Sequence, residues 1–148
     1  MTRKLLLQRV EGAEDLPLPK RMTKYSAGMD LFANVTGTVT IRKGERALIP
    51  TGIRIALPEG YEAQIRARSG IAWKNGVTCL NGPGTVDGDY RGEIHAMLIN
   101  LGDEDFFIKR GDRIAQMVVA RVETIVFVET DSLPESTRGA SGFGSTGI

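Results

Sequence analysis

The chain has 148 residues, a formal net charge of +1, 41% hydrophobic and 25% charged residues. That length fits a single domain with a real core. The charge balance excludes a global field drawing the protein to nucleic acid or an acidic membrane, so any anion must be held by local geometry. Cys79 is the only cysteine, so no intrachain disulfide is expected and a reducing, cytoplasmic compartment is the natural reading. No apolar stretch approaches the roughly 20 residues of a membrane span. Leu5-Leu6-Leu7 is too short for the apolar region of a signal peptide, and no small-residue cleavage site follows it.

Eighteen glycines punctuate short runs of Val, Ile, Leu, Thr and Phe. In chain order, residues 5–10, 39–41, 47–49, 53–57, 62–68, 93–100 and 114–128 read as strands. The run Glu62-Ala63-Gln64-Ile65-Arg66-Ala67-Arg68 alternates polar and apolar residues, as on a half-buried strand. One short helix is predicted over 69–75, with Ser69 as its cap and Gly76 as its end. Many short strands between turn signals imply an all-β sandwich, jelly roll or barrel. The predicted division is a β domain over 1–131 and a flexible C-terminal arm over 132–148. That arm has three bulky apolar residues, Leu133, Phe143 and Ile148, too few to order it alone.

Five segments carry chemistry. The arm reads Arg138-Gly139-Ala140-Ser141-Gly142-Phe143-Gly144-Ser145-Thr146-Gly147. Its glycine amides, hydroxyls and arginine fork suit a phosphate, and Phe143 can stack on a flat base. A Gly-rich tail without a function carries the same composition. Arg68-Ser69-Gly70 lies where a strand passes into a helical turn, an anion site or a plain capped turn. Gly84-Thr85-Val86-Asp87-Gly88-Asp89-Tyr90-Arg91-Gly92-Glu93 brackets carboxylates and a tyrosine with glycines. It serves either as a hairpin holding a water on a carboxylate or as ordinary Asp-Gly turn chemistry. Asp30 at the start of a strand and Gln116 after the Arg110-Gly111-Asp112 turn complete the set; each alone is more often structural than functional.

Taken together and in this order, the five segments resemble the five motifs of the trimeric dUTP pyrophosphatase family, from about residue 24 to the C-terminus. Val86 and Gly88 depart conservatively from the usual residues. The resemblance implies a jelly-roll-like homotrimer with active sites shared between subunits. The implied reaction is hydrolysis of dUTP to dUMP and pyrophosphate, which keeps uracil out of DNA and supplies dUMP for thymidylate synthesis. By resemblance Asp87 is the catalytic carboxylate that orients and deprotonates the water attacking the α-phosphorus. Mg²⁺ is the implied cofactor, carried mainly on substrate phosphates. Asp30 holds either a metal-bound water or a partner arginine.

The same resemblance gives phosphate binding to Arg68, Ser69, Gly70 and Gln116. Uracil is read by Asn81 and the backbone of Thr85, Val86 and Asp87, with His95 lining the base pocket through its backbone or serving only as a packed histidine. Tyr90 lies against the deoxyribose. Arg138, Gly144, Ser145 and Thr146 belong to the closing arm, and Phe143 stacks on the base. Trp73 is assigned to packing. The alternatives are a dCTP deaminase of the same superfamily, whose third motif lacks the Asp-x-Asp-Tyr hairpin; a non-catalytic nucleotide binder; and a structural β domain with a disordered tail.

Overall fold

The computed structural model describes residues 3–142. Eleven strands and one helix follow one another: β1 Leu6–Arg9, β2 Met29–Phe32, β3 Val39–Ile41, β4 Arg46–Pro50, β5 Ile53–Ala56, β6 Tyr61–Arg66, α1 Ser69–Asn75, β7 Val77–Cys79, β8 Gly84–Val86, β9 His95–Asn100, β10 Phe106–Ile108 and β11 Arg113–Arg121. They form sheets ordered β1-β5, β10-β3, β2-β11-β6-β8 and β4-β9-β7, and every pairing is antiparallel. No sheet closes on itself, so the all-β expectation resolves to an open, jelly-roll-like packing of sheets. No helix among the described residues is long and apolar enough to cross a membrane.

The core follows from the alternation. On β9 every second residue is buried, Ala96, Leu98 and Asn100 facing inward. Leu31, Ile49, Ile65, Ile108 and Met117 arrive from other strands to meet them. Asn100 is buried yet satisfied: its amide donates to the Ile41 and Glu104 carbonyls, and its oxygen accepts from Gly102 N. The side chain therefore stitches the ends of β3 and β9, its hydrogen bonds offsetting the cost of burying an amide.

The helix has the predicted span, but its start differs. Ser69 is the first helical residue rather than the cap. Arg68 occupies the cap position with extended backbone, φ −87° and ψ 127°, and no side chain caps the helix. Gly76 ends it in the left-handed conformation, φ 68° and ψ 14°, its N–H donating to the Ala72 carbonyl. Glycine fits there for two reasons, the positive φ and the closeness of Gly102, whose backbone nitrogen would lie 2.5 Å from a Cβ at residue 76.

The long strand predicted over 114–128 stops at Arg121. Arg121 pairs with Tyr61, the first residue of β6, and Val122 N still reaches the Gly60 carbonyl. Past that turn no further partner strand is present among the described residues. Ile125, Val126, Phe127 and Val128 stand 71%, 83%, 92% and 82% exposed. The apolar pattern predicts strand through residue 128, but among the described residues no strand forms past Arg121. Short strands β7, β8 and β10, absent from the sequence reading, complete the sheets.

Candidate active site

The hairpin after β8 folds back on itself through local bonds. Tyr90 N donates to the Asp87 carbonyl, and Arg91 donates to the Gly88 and Tyr90 carbonyls. The Tyr90 hydroxyl donates to the Glu93 carbonyl at 3.0 Å. Beside it lies a cavity of about 240 Å³. Asn81, Thr85, Val86, Asp87, Tyr90 and His95 line it, so the structure brings six of the sequence-derived site residues to one place. Its walls also include Leu48, Ile65, Gly84, Glu93 and Ile94. Buried Ile65, Val86 and Ile94 make an apolar floor, while Asn81, Asp87 and Tyr90 supply an exposed polar rim.

Two of the missed residues had a signal. Gly84 and Glu93 sit inside the motif itself, and Gly84 packs so closely that a Cβ would lie 3.0 Å from the Asn81 amide nitrogen. Ile65 arrives by register, opposite Gly84 on the β6–β8 pair. Leu48 comes from β4, a strand remote from the motif, and nothing local in the sequence marks it.

A second constellation forms where β2, β11 and β6 run side by side. Gln116 on β11 stands opposite Asp30 on one side and Arg66 on the other. Its amide donates to the Ala67 carbonyl at 2.9 Å. Gly28 makes room for that amide, because a Cβ there would collide with Gln116 Oε1. Asp30 spends both oxygens on arginines, Oδ1 on Arg68 Nε at 2.9 Å and Oδ2 on Arg113 Nη1 at 3.4 Å. Arg68 also donates through Nη1 to the Arg113 carbonyl. Its Nη2 makes no hydrogen bond among the described residues, so one arm of a fork held rigidly by Asp30 stays open to an anion. Ser69 and Gly70 follow at the uncapped helix start, both exposed.

None of Asp30, Arg68, Ser69, Gly70 or Gln116 lines the hairpin cavity. At about 240 Å³ the cavity is also smaller than the roughly 300–1,000 Å³ of sites that enclose a whole drug-sized ligand. Arg138 lies in an exposed turn, where its carbonyl accepts from Ser141 N. Phe143, Gly144, Ser145 and Thr146 lie outside the described residues. Arg110, from the same segment as Gln116, is a clamp: its guanidinium reaches the Gly12 carbonyl, the Asn34 side-chain oxygen and both Asp15 oxygens.

The donor set bears on the metal. Among the described residues no group of three or more His, Cys, Asp or Glu side chains could hold an ion, and Asp30 is already neutralised by two cations. A built cage for Mg²⁺ does not fit these side chains.

Fold and site together define a small all-β protein with a carboxylate-bearing hairpin pocket and a separate arginine-lined anion cluster. A family model described as dUTPase matches residues 14–147. A deoxyuridine 5'-triphosphate nucleotidohydrolase of Caldanaerobacter subterraneus subsp. tengcongensis is 57% identical over 144 residues, covering 97% of each chain. The enzyme of that name from Rickettsia felis is 59% identical over 131 residues, 88% of each. Among solved structures, the dUTPase of Staphylococcus bacteriophage 80alpha with dUPNHPP superposes with a TM-score of 0.85 at 26% identity, over 99% of this chain and 100% of that one. The chain belongs to the dUTPase family.

Proposed function

We infer that this protein hydrolyses dUTP to dUMP and pyrophosphate. The observation that carries the reading is the single pocket uniting Asp87, Asn81 and Tyr90 over an apolar floor, in a chain of the dUTPase family. Asp87, exposed at the rim, accepts a hydrogen bond from a water, orients it toward the α-phosphorus and takes its proton. Phosphoryl chemistry of this kind relies on positioning and charge stabilisation more than on covalent steps. Asn81 and the backbone of Thr85, Val86 and Asp87 meet the uracil edge, with His95 completing the wall. Cytosine presents a donor where uracil presents an acceptor, and each unpaired buried group costs about 1–3 kcal/mol. Tyr90 faces the deoxyribose and leaves no room for a 2′-hydroxyl.

Arg68, Ser69, Gly70 and Gln116 hold the phosphates. Arg138, Ser145 and Thr146, with the Gly144 backbone, close on the γ-phosphate, and Phe143 stacks on the base. Mg²⁺, bound to the triphosphate, supplies neutralisation of the phosphate oxygens. The lone buried thiol is in keeping with a cytoplasmic setting. A panel of nucleoside triphosphates with Mg²⁺ tests the activity: pyrophosphate release from dUTP should far exceed that from dCTP, dTTP or UTP. Ammonia release from dCTP would favour the deaminase instead, and comparable turnover of UTP would remove the tyrosine gate.

The assembly belongs to the same proposal. Three copies form a symmetric trimer, each site taking the hairpin from one chain, the Ser69 and Gln116 segments from a second and the arm from a third. Two observations support it: the anion cluster does not line its own chain's pocket, and residues 125–128 leave four large apolar side chains uncovered. Mixing Asp87→Asn chains with chains ending at Thr137 gives the test. Random assortment should restore roughly a quarter of the sites. A mixture as inactive as its parents, with mixed trimers confirmed by mass, would refute the shared site.

A further inference from the structure

The carbonyl of Glu93 accepts two side-chain hydrogen bonds. One comes from the Tyr90 hydroxyl at 3.0 Å, the other from His95 Nδ1 at 3.0 Å. A carbonyl oxygen cannot donate, so Nδ1 is the donor in this contact and carries a hydrogen. The Glu93 carboxylate meanwhile accepts from Gly52 N at 2.8 Å. Residue 93 is thereby pinned at both its backbone and its side chain. Tyr90 is held at its backbone by the Asp87 carbonyl and by Arg91, but the residue is 44% exposed, and Glu93 O is the one hydrogen-bond partner of its hydroxyl among the described residues. Its ring also crowds Gly92 so closely that any Cβ there would collide with the phenol oxygen. The Glu93 carbonyl is thereby the polar anchor of the exposed end of the tyrosine ring beside the pocket.

We propose that His95 is a positioning residue for Tyr90, acting through the Glu93 carbonyl, and so a determinant of sugar selectivity. The proposal rests on the reading of the pocket as a deoxynucleotide site. It assigns the imidazole a role separate from the backbone that lines the base wall. Without the Nδ1 donor the peptide group keeps only the Ile94 N–H bond to the Ile53 carbonyl at 2.8 Å on its other side, the carbonyl oxygen can tilt, the hydroxyl follows it, and the ring guards the space beside the sugar less closely. Proximity of this kind is sensitive, since small displacements of a positioning group change rates disproportionately.

The test uses the full-length protein with Mg²⁺ and compares kcat and KM on dUTP and UTP. Asparagine places an amide nitrogen close to where Nδ1 stands, whereas glutamine places it closer to Nε2. His95→Leu should lower the dUTP-over-UTP ratio of kcat/KM by about tenfold, the size of one lost hydrogen bond. His95→Asn should restore most of the ratio, and His95→Gln should not. In the Tyr90→Phe background, where the hydroxyl is gone, His95→Leu should change the ratio no further. A ratio untouched by His95→Leu, equal behaviour of the Asn and Gln variants, or additive effects with Tyr90→Phe would each overturn the proposal. Should the Leu variant fail to fold, the Asn and Gln pair decides alone. Wild-type protein inert toward dUTP would instead overturn the proposed function and this inference with it.

Discussion

Replacing Gly76 by alanine separates two costs that coincide at the end of α1. Gly60 and Gly76 share the left-handed conformation, at φ 75° and 68°, but a Cβ at residue 60 meets nothing within 4 Å. At residue 76 it would meet Gly102 N at 2.5 Å and Gly102 Cα at 2.6 Å. Both are backbone atoms, held by the Leu101 N–H bond to the Gly76 carbonyl at 2.9 Å, so neither can swing aside. The left-handed conformation costs alanine roughly 1–2 kcal/mol, offset by about 0.4–1 kcal/mol of lost unfolded-state freedom. Gly60→Ala should therefore destabilise by roughly 0.5–1 kcal/mol. Gly76→Ala adds an overpacking cost of about 1–3 kcal/mol. At about 2–4 °C per kcal/mol for a chain of this size, Gly76→Ala should lose roughly 3–16 °C in Tm. Urea unfolding at one fixed protein concentration, needed because assembly shifts apparent stability, gives the comparison directly. Equal losses from the two variants would show that Gly102 yields, and that the contact between the helix end and the loop after β9 carries no strain on substitution.

Asp87→Asn should keep nucleotide affinity by calorimetry while losing about 10²–10⁴-fold in turnover, the usual yield of a general base; near wild-type turnover would shift attention to Asp89. The Arg110 guanidinium, bonded to both Asp15 oxygens, holds that carboxyl below its ordinary value of 3.8. A depressed carboxylate stabilises the fold above its unfolded pKa and loses that contribution as pH falls through the folded one. The stability gap between wild type and Asp15→Asn should thus be flat above about pH 4 and close below it; a gap that widens on acidification would contradict the sign. Burial pushes the Cys79 thiol up, so the reactive thiolate is scarce. Iodoacetamide should label the native protein far more slowly than the urea-unfolded chain, and rapid stoichiometric labelling of native protein would count against the buried placement.

What the sequence disclosed was local chemistry. Ser69 to Asn75 followed by Gly76 reads as a helix because its end needs a residue that accepts positive φ, and that signal sits within a few residues. The cap was misassigned because Arg68 fills the position with extended backbone and no side-chain bond, a geometry no residue type announces. The hairpin at Asp87 was legible for the same reason as the helix: glycines, acids and a tyrosine in ten consecutive positions. What depends on pairing was not. The end of β11 is set by where β6 begins, and β7 and β10 are three residues each, too short for period two to declare itself. Leu48 reaches the pocket only because β4 lies along β9. That Asp30 serves two arginines follows from β2 and β11 lying side by side, not from either segment.

The order β2-β11-β6-β8 has a consequence for how the protein comes into being. Its middle strand, β11, is the last to leave the ribosome, yet β2 and β6 bond to it and not to each other. Until residue 121 has emerged, the sheet is two separated pieces whose inner edges face nothing, and closing them requires contacts between chain segments far apart in sequence. Such long-range closure is slow and leaves strand edges exposed meanwhile. Gln116 and Asp30 become neighbours only at that moment, so a nascent chain that already possesses its Asp87 hairpin still lacks the Asp30, Arg68 and Gln116 cluster. Synthesis halted at any point before β11 yields a chain in which that cluster cannot form, however complete its hairpin pocket.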